Sequence, residues 1–236
     1  MIQPEFDRYS GSYEELLRDP IRDRFAGAGS EFFHIRKRDL IREYFRNRGI
    51  DPHRLRYLDM GCGKGELISM LRDDFGYVAG CDPSPRMLGF VNGLDTQVQE
   101  DPTIVPFENA AFDFISAVCV YHHVLPQARL AITREVYRVL RPGGVFAIIE
   151  HNPKNPVTRL IVSRTPVDAG AVLLKSCETK GWMLQAGFSL DLTRYFLFLP
   201  EALYKHGAHG LEHLLGRVPL GGQYAVFGRK PLTSSS

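Results

Sequence analysis

Between Tyr57 and Glu150 short apolar runs alternate with amphipathic stretches, and this alternation is the strongest regularity in the chain. Arg56–Met60 is a short apolar run that ends in glycines. Glu66–Phe75 carries Leu67, Ile68, Met70 and Leu71 at the spacing of one helix face. Tyr77–Cys81 is the next apolar run, closed by Asp82-Pro83-Ser84-Pro85, a turn and helix-start signal. Thr96–Gln99 is strand-like and Phe112–Val120 reads as a buried strand. Leu130–Leu140 reads as a helix with Ile132, Val136, Val139 and Leu140 on one face. Arg141-Pro142-Gly143-Gly144 stops that helix, and Val145–Ile149 forms the following strand.

Strand and helix in alternation predict a parallel sheet covered on both faces, and right-handed crossovers make it doubly wound. We expect an α/β domain over residues 51–230. Residues 1–50 read as an N-terminal helical cap, with Glu31–Arg46 its clearest amphipathic stretch. Residues 151–176 open on His151-Asn152-Pro153-Lys154-Asn155-Pro156 and read as a lid-like insertion. A helix over Cys177–Ala186, a strand over Leu190–Leu199, a helix over Glu201–Leu215 and a closing strand over Gln223–Gly228 follow. Residues 231–236 read as a flexible tail. There is no internal repeat.

Composition narrows the picture modestly. A chain of 236 residues with 44% hydrophobic and 24% charged residues can bury a full core without disulfides. The net charge of +2 points to no particular partner. The runs Arg36-Lys37-Arg38 and Arg54 with Arg56 read as solvated faces, so no nucleic-acid footprint is expected. Cys62, Cys81, Cys119 and Cys177 show no CxxC pairing. Three of them fall at or near strand ends, as reduced thiols do, and neither disulfide nor metal site is expected. The N-terminus has no signal-peptide pattern, and no apolar run approaches the roughly 20 residues of a membrane span. A soluble cytoplasmic protein is expected.

Chemistry concentrates in Leu58-Asp59-Met60-Gly61-Cys62-Gly63-Lys64-Gly65-Glu66. A strand feeding a glycine-rich turn and then a helix brings backbone close to a ligand at the switch point of a sheet. A dinucleotide site wants G-x-G-x-x-G, with the helix start aimed at a pyrophosphate. Here the spacing is Gly61-x-Gly63-x-Gly65, with Glu66 where the third glycine would stand, and a carboxylate there repels a pyrophosphate. Asp59 suits a cationic amino-acid ligand better than phosphates.

This segment resembles motif I of the class I S-adenosylmethionine-dependent methyltransferases, in which the loop holds the methionine part of the cofactor. Further segments match in order. Asp82 is similar to the acid that binds both ribose hydroxyls, a bidentate contact between a carboxylate and a diol. Glu100-Asp101-Pro102 with Val105-Pro106-Phe107 resembles the adenine-binding segment, where Asp101 would accept from the amine. Arg138–Gly144 resembles the turn before the fifth strand. The resemblance implies a Rossmann-like, mostly parallel seven-stranded sheet with an antiparallel last strand. It also implies S-adenosyl-L-methionine as cofactor, with S-adenosyl-L-homocysteine as product. The cofactor-binding set implied is Tyr9, Asp59, Gly61, Cys62, Gly63, Asp82, Pro83, Met87, Glu100, Asp101, Pro102, Ala117 and Val118.

Methyl transfer from a sulfonium is an in-line displacement, so alignment and exclusion of water dominate and a base serves only an acceptor that loses a proton. Ligands in open α/β sheets sit at the carboxyl ends of strands. His122 and His123 after the fourth strand, and Glu150 and His151 after the fifth, are therefore the candidate catalytic groups, each with a structural role as its alternative. The run from His151 to Thr158 resembles bacterial methyltransferases of small metabolites, glycans or natural products, and O-methylation is expected ahead of N- or C-methylation. A cofactor-binding protein without transferase activity and an NAD-linked oxidoreductase are the competing readings. Nucleic-acid and membrane partners are not expected. Monomer and homodimer stay open.

Overall fold

The structure, a computed structural model, describes residues 5–26, 30–206 and 209–232. A 3-10 turn at Glu5–Arg8 precedes α1 (Tyr13–Leu16), α2 (Pro20–Ala26) and α3 (Glu31–Arg46). Then come β1 (Arg56–Met60), α4 (Glu66–Leu71), β2 (Tyr77–Asp82), α5 (Pro85–Leu88), β3 (Asp95–Val98), β4 (Phe112–Val118), α6 (Arg129–Val139) and β5 (Leu140–His151). The chain ends with α7 (Pro156–Val162), α8 (Ser176–Gln185), β6 (Ser189–Phe196), α9 (Glu201–Lys205), α10 (His209–Leu215) and β7 (Gln223–Arg229).

The seven strands form one sheet in the order β3-β2-β1-β4-β5-β7-β6. The first five run parallel, and β7 is antiparallel to both β5 and β6. This is the doubly wound, mostly parallel sheet with an antiparallel last strand that the residue pattern and the resemblance imply. Alternate residues of the central strands feed two separate cores, as the period of two requires. Val145, Ala147 and Ile149 of β5 pack with Ile41 and Phe45 of α3 and Ile68 of α4. Phe146 and Ile148 pack on the opposite face with Ile132 and Val136 of α6 and Met183 of α8. Tyr44 of α3 stacks flat on Phe227 of β7, ring centroids 4.2 Å apart, which docks that helix over the antiparallel end of the sheet.

Several boundaries depart from the pattern for physical reasons. The fourth strand stops at Val118 rather than Val120, because Cys119 takes a left-handed backbone with φ of 56° and turns the chain out of the sheet. Arg141–Gly144 ends the helix as expected yet belongs to β5, as a bulge: Leu140 faces Phe112, and pairing resumes with Val145 facing Phe114. Gly143, at φ of 80°, makes that bulge possible. The stretch read as one helix over Glu201–Leu215 is two, α9 and α10, with residues 207–208 outside the described residues. The stretch read as a lid-like insertion contains α7 and a 3-10 turn at Pro166–Asp168. Residues 233–236 of the expected tail lie outside the described residues. Among the described residues no helix is long and apolar enough to cross a membrane. All four cysteines are free.

Candidate active site

At the carboxyl ends of β1, β2, β4 and β5 lies a cavity of about 650 Å³, within the range of small-molecule sites. The turn after β1 forms its floor. Gly61, Gly63 and Gly65 all have positive φ, so the turn folds where other residues strain. A Cβ on Gly61 would sit 2.4 Å from Val120 Cγ2, whereas one on Gly63 would meet nothing within 4 Å. Gly63 therefore faces open space, a cradle that a ligand can approach to backbone contact.

Two carboxylates border this cradle. Asp59 is buried and accepts from Ser116 Oγ at 2.5 Å, while Tyr57 Oη lies 2.8 Å from the same hydroxyl. Burial, with Asp82 and Glu66 adding repulsion, outweighs Ser116 and Lys37 and pushes the Asp59 pKa up to about 7. Asp82 accepts from Gly63 N at 2.9 Å and Ser84 N at 2.8 Å. Burial raises its pKa against those two bonds. The N-terminal segment is tied to the same corner, since Ser84 Oγ donates to Asp7.

Lys37 of α3 enters from above. It is 5% exposed, lines the cavity, and its ammonium lies 3.6 Å from Cys119 Sγ. Among the described residues no carboxylate pairs with it. The reading of Arg36-Lys37-Arg38 as a solvated face is thereby overturned: Arg36 pairs with Asp39 and Glu212, Arg38 pairs with Asp39, and Lys37 points inward. The helix period held the signal, because Lys37 falls on the stripe of Phe33, Leu40, Ile41 and Tyr44.

The histidines crowd the far side. Glu150 is fully buried behind them, its two oxygens taken by Tyr121 N and His122 Nδ1, both at 2.6 Å. Burial opposes a charge on His122, but Glu150 and then Asp168 overcome it and the pKa rises to about 10. His122 Nε2 and His123 Nε2 lie 3.4 Å and 3.5 Å from Asp168 Oδ1. His151 shares its corner with Cys119 and Gln223. Burial would raise the Cys119 thiol, yet Lys37 and His151 bring it down to about 7. Two cavity-lining residues, His34 and Gln223, each hold a buried atom, Nδ1 and Oε1, that has no hydrogen-bond partner among the described residues. Burial, with Lys37 and Arg22, lowers His34 to about 3, so its ring is neutral near pH 7.

Of the residues singled out in the sequence, Asp59, Gly61, Cys62, Gly63, Asp82, Pro83, Met87, Pro102 and Val118 line the cavity, as do His122, His123 and His151. Tyr9, Glu100, Asp101, Ala117 and Glu150 do not. Asp101 turns its carboxylate to Thr103, at 2.7 Å from N and 2.6 Å from Oγ1, and is wholly exposed. Ala117 points into the core on the α6 side of the sheet. Tyr9 packs against Phe6, and Glu100 is exposed. Lys37, His34, Gln99, Asp168 and Gln223 line the cavity without having been singled out. Asp168 and Gln223 carried no motif, and only the fold brings them in.

Beyond the cradle the wall turns apolar, with Phe25, Phe33, Val157, Ile161, Val162 and Leu197. Opposed charges, a backbone cradle and two carboxylates fit an amino-acid nucleoside, and the apolar end fits a second molecule beside it.

Residues 58–148 match the family model described as a methyltransferase domain. An uncharacterised methyltransferase of Synechocystis is 34% identical over 113 residues, 46% of this chain and 53% of that protein. A malonyl-[acyl-carrier protein] O-methyltransferase of Enterobacter lignolyticus is 35% identical over 97 residues, covering 39% of this chain and 37% of that protein. The chain thus spans about half, or less, of the length of these curated relatives. The fold is that of a solved Thermotoga maritima structure, a SAM-dependent methyltransferase and possible histamine N-methyltransferase. The two superpose with a TM-score of 0.66 at 16% identity, over 95% of this chain and 97% of that one.

Proposed function

We propose that this chain is a class I S-adenosylmethionine-dependent methyltransferase that methylates an oxygen of a small, largely apolar acceptor, a reading supported by the methyltransferase-domain match over residues 58–148 and by the sheet order. One observation carries the reading: a single cavity joins the glycine cradle of β1 to an apolar wall. Bound there, S-adenosylmethionine supplies a methyl group on a positively charged sulfur.

The chain's own residues then hold and enclose. Asp59 and Lys37 offer opposite charges to a zwitterionic amino-acid end, and Asp82 offers carboxylate oxygens to a ribose diol. Gly63 lets the backbone approach without a side chain intervening. Phe33, Ile161 and Leu197 keep water from the transfer path, which also strengthens every charge contact inside. His34 and Gln223, whose Nδ1 and Oε1 have no partner among the described residues, give an acceptor hydroxyl polar anchors beside the apolar wall. His151, on the same wall, takes the proton that such a hydroxyl gives up. An oxygen acceptor accords with the relative named an O-methyltransferase.

Titration of the purified chain with S-adenosylmethionine and S-adenosylhomocysteine tests the first half, and absence of binding by both ends the reading. Release of S-adenosylhomocysteine is then followed with apolar phenols and alcohols, with amines, and with transfer RNA. Turnover with hydroxyl acceptors is the expected result, and turnover with only amines or RNA overturns the acceptor assignment.

A further inference from the structure

We propose that His122, His123 and Asp168 form a binding site for a divalent transition metal, opening onto the acceptor end of the cavity. The site goes beyond the methyl-transfer reading and stands on its own geometry.

The two histidines come from the turn that follows β4, and Asp168 comes from the 3-10 turn after α7, so two distant segments converge on one point. One ring nitrogen from each histidine and an Asp168 oxygen all lie within 4.8 Å of one another, and both Nε2 atoms stand near Asp168 Oδ1. The two nitrogen-to-oxygen separations, 3.4 Å and 3.5 Å, are longer than the usual hydrogen bond. They match the edge, about 3.4 Å, of a tetrahedron whose metal–ligand bonds are about 2.1 Å.

A second feature points the same way. Glu150 Oε2 takes His122 Nδ1 at 2.6 Å, and the other Glu150 oxygen is fixed by Tyr121 N. A wholly buried carboxylate therefore sets the orientation of the ring and aims Nε2 at Asp168. Ligating histidines are held in this way by carboxylates behind them. On the other side Phe6 meets the His123 ring edge-on, centroids 4.9 Å apart, which limits its rotation.

Two imidazoles and one carboxylate suit zinc, cobalt(II) or iron(II), not the all-oxygen shells of magnesium or calcium. Three protein ligands leave a position toward the cavity, where an oxygen of the acceptor completes the shell and is held in place. Binding displaces protons from the imidazoles, so affinity is measured at a fixed pH.

The test uses the full chain without an affinity tag, dialysed against a chelator and then titrated with cobalt(II) by visible absorption and with zinc(II) by calorimetry. One equivalent per chain is expected, with the d–d bands of a nitrogen- and oxygen-ligated ion. Asp168→Ala and His123→Ala should each weaken cobalt(II) binding at least tenfold. Glu150→Gln should weaken it by about 10- to 100-fold through the ring it orients. Circular dichroism and S-adenosylhomocysteine affinity, measured on the same samples, identify any variant that fails to fold. A wild-type chain that binds S-adenosylhomocysteine but takes up no cobalt(II) overturns the site, as does a folded Asp168→Ala chain with unchanged cobalt(II) affinity. Uptake of cobalt(II) without S-adenosylhomocysteine binding leaves the metal site standing and removes the methyl-transfer reading.

Discussion

Asp59 sits where water does not reach, and its ionisation is set by its neighbours: Lys37 favours the charge, while Asp82, Glu66 and burial oppose it. With a pKa raised to about 7 in the fold, it holds its proton more tightly folded than unfolded. Its contribution to stability is therefore complete at acid pH and is lost as pH rises from about 4 through about 7. Cofactor affinity should run the other way. If the ionised carboxylate receives the cationic amine, S-adenosylmethionine binding strengthens about tenfold per pH unit below 7 and levels off above it. Calorimetry between pH 5.5 and 8 measures this, and a flat profile contradicts it. Lys37 makes a separate claim. Lys37→Met should weaken S-adenosylhomocysteine at least tenfold and leave adenosine affinity unchanged, because only the former has a carboxylate to lose. Asp82→Ala should weaken both. Part of this was legible in the sequence: Asp59 and Asp82 stand beside strand ends and a glycine turn. Lys37 was hidden by its basic neighbours, although its helical position gave it away. Asp101 occupies the expected place in the sequence, but its carboxylate satisfies Thr103 instead of facing the cavity.

At the level of elements, α7 carries much of the apolar wall, and two asparagines hold it. Asn155 caps its first turn, accepting from Thr158 N at 2.9 Å, and donates to Leu220 O at 2.8 Å. Asn152, buried, donates to Gly221 O at 2.8 Å and Pro219 O at 3.2 Å, pinning the start of the segment to the approach to β7. Asn155→Ala should cost about 1 kcal/mol, the usual loss of a helix cap. Asn152→Ala should cost about 1–3 kcal/mol, because it leaves buried carbonyls without donors. Urea midpoints with unchanged slopes would record both losses. Strands and helices of the parallel half were readable because their periodicities differ. The irregular places were not: the end of β4 depends on one backbone angle at Cys119, and the bulge at Arg141–Gly144 joins strand pairing that no propensity encodes. The proline-rich start of residues 151–176 reads as loop, yet Pro156 and Asn155 together are a helix-start signal.

Across the whole molecule, the cavity is walled by three separate stretches: residues 6–37, the strand ends of the sheet, and residues 155–168. Alternation and crossover handedness pointed to a doubly wound parallel sheet, and the resemblance implied its antiparallel last strand. The two outer walls meet only through tertiary contacts, such as Arg164 near Asp19 at 3.9 Å, which leave no periodic trace in the sequence. A ligand seated between those walls contacts both and holds them together. S-adenosylhomocysteine should therefore slow amide hydrogen exchange most in residues 6–26 and 155–168, and least in β4 and β5, which are already protected. Equal slowing everywhere would contradict this. The position of β7 has one more consequence. Since among the described residues β6 joins the sheet only through β7, Gln223–Arg229 is the wedge that unites β6 with the rest. During synthesis β5 waits with a naked edge, and β6 has no berth, until that wedge leaves the ribosome. A nascent chain halted before Gln223 would expose two hungry strand edges, which makes it a natural client for chaperones and prone to clump without them.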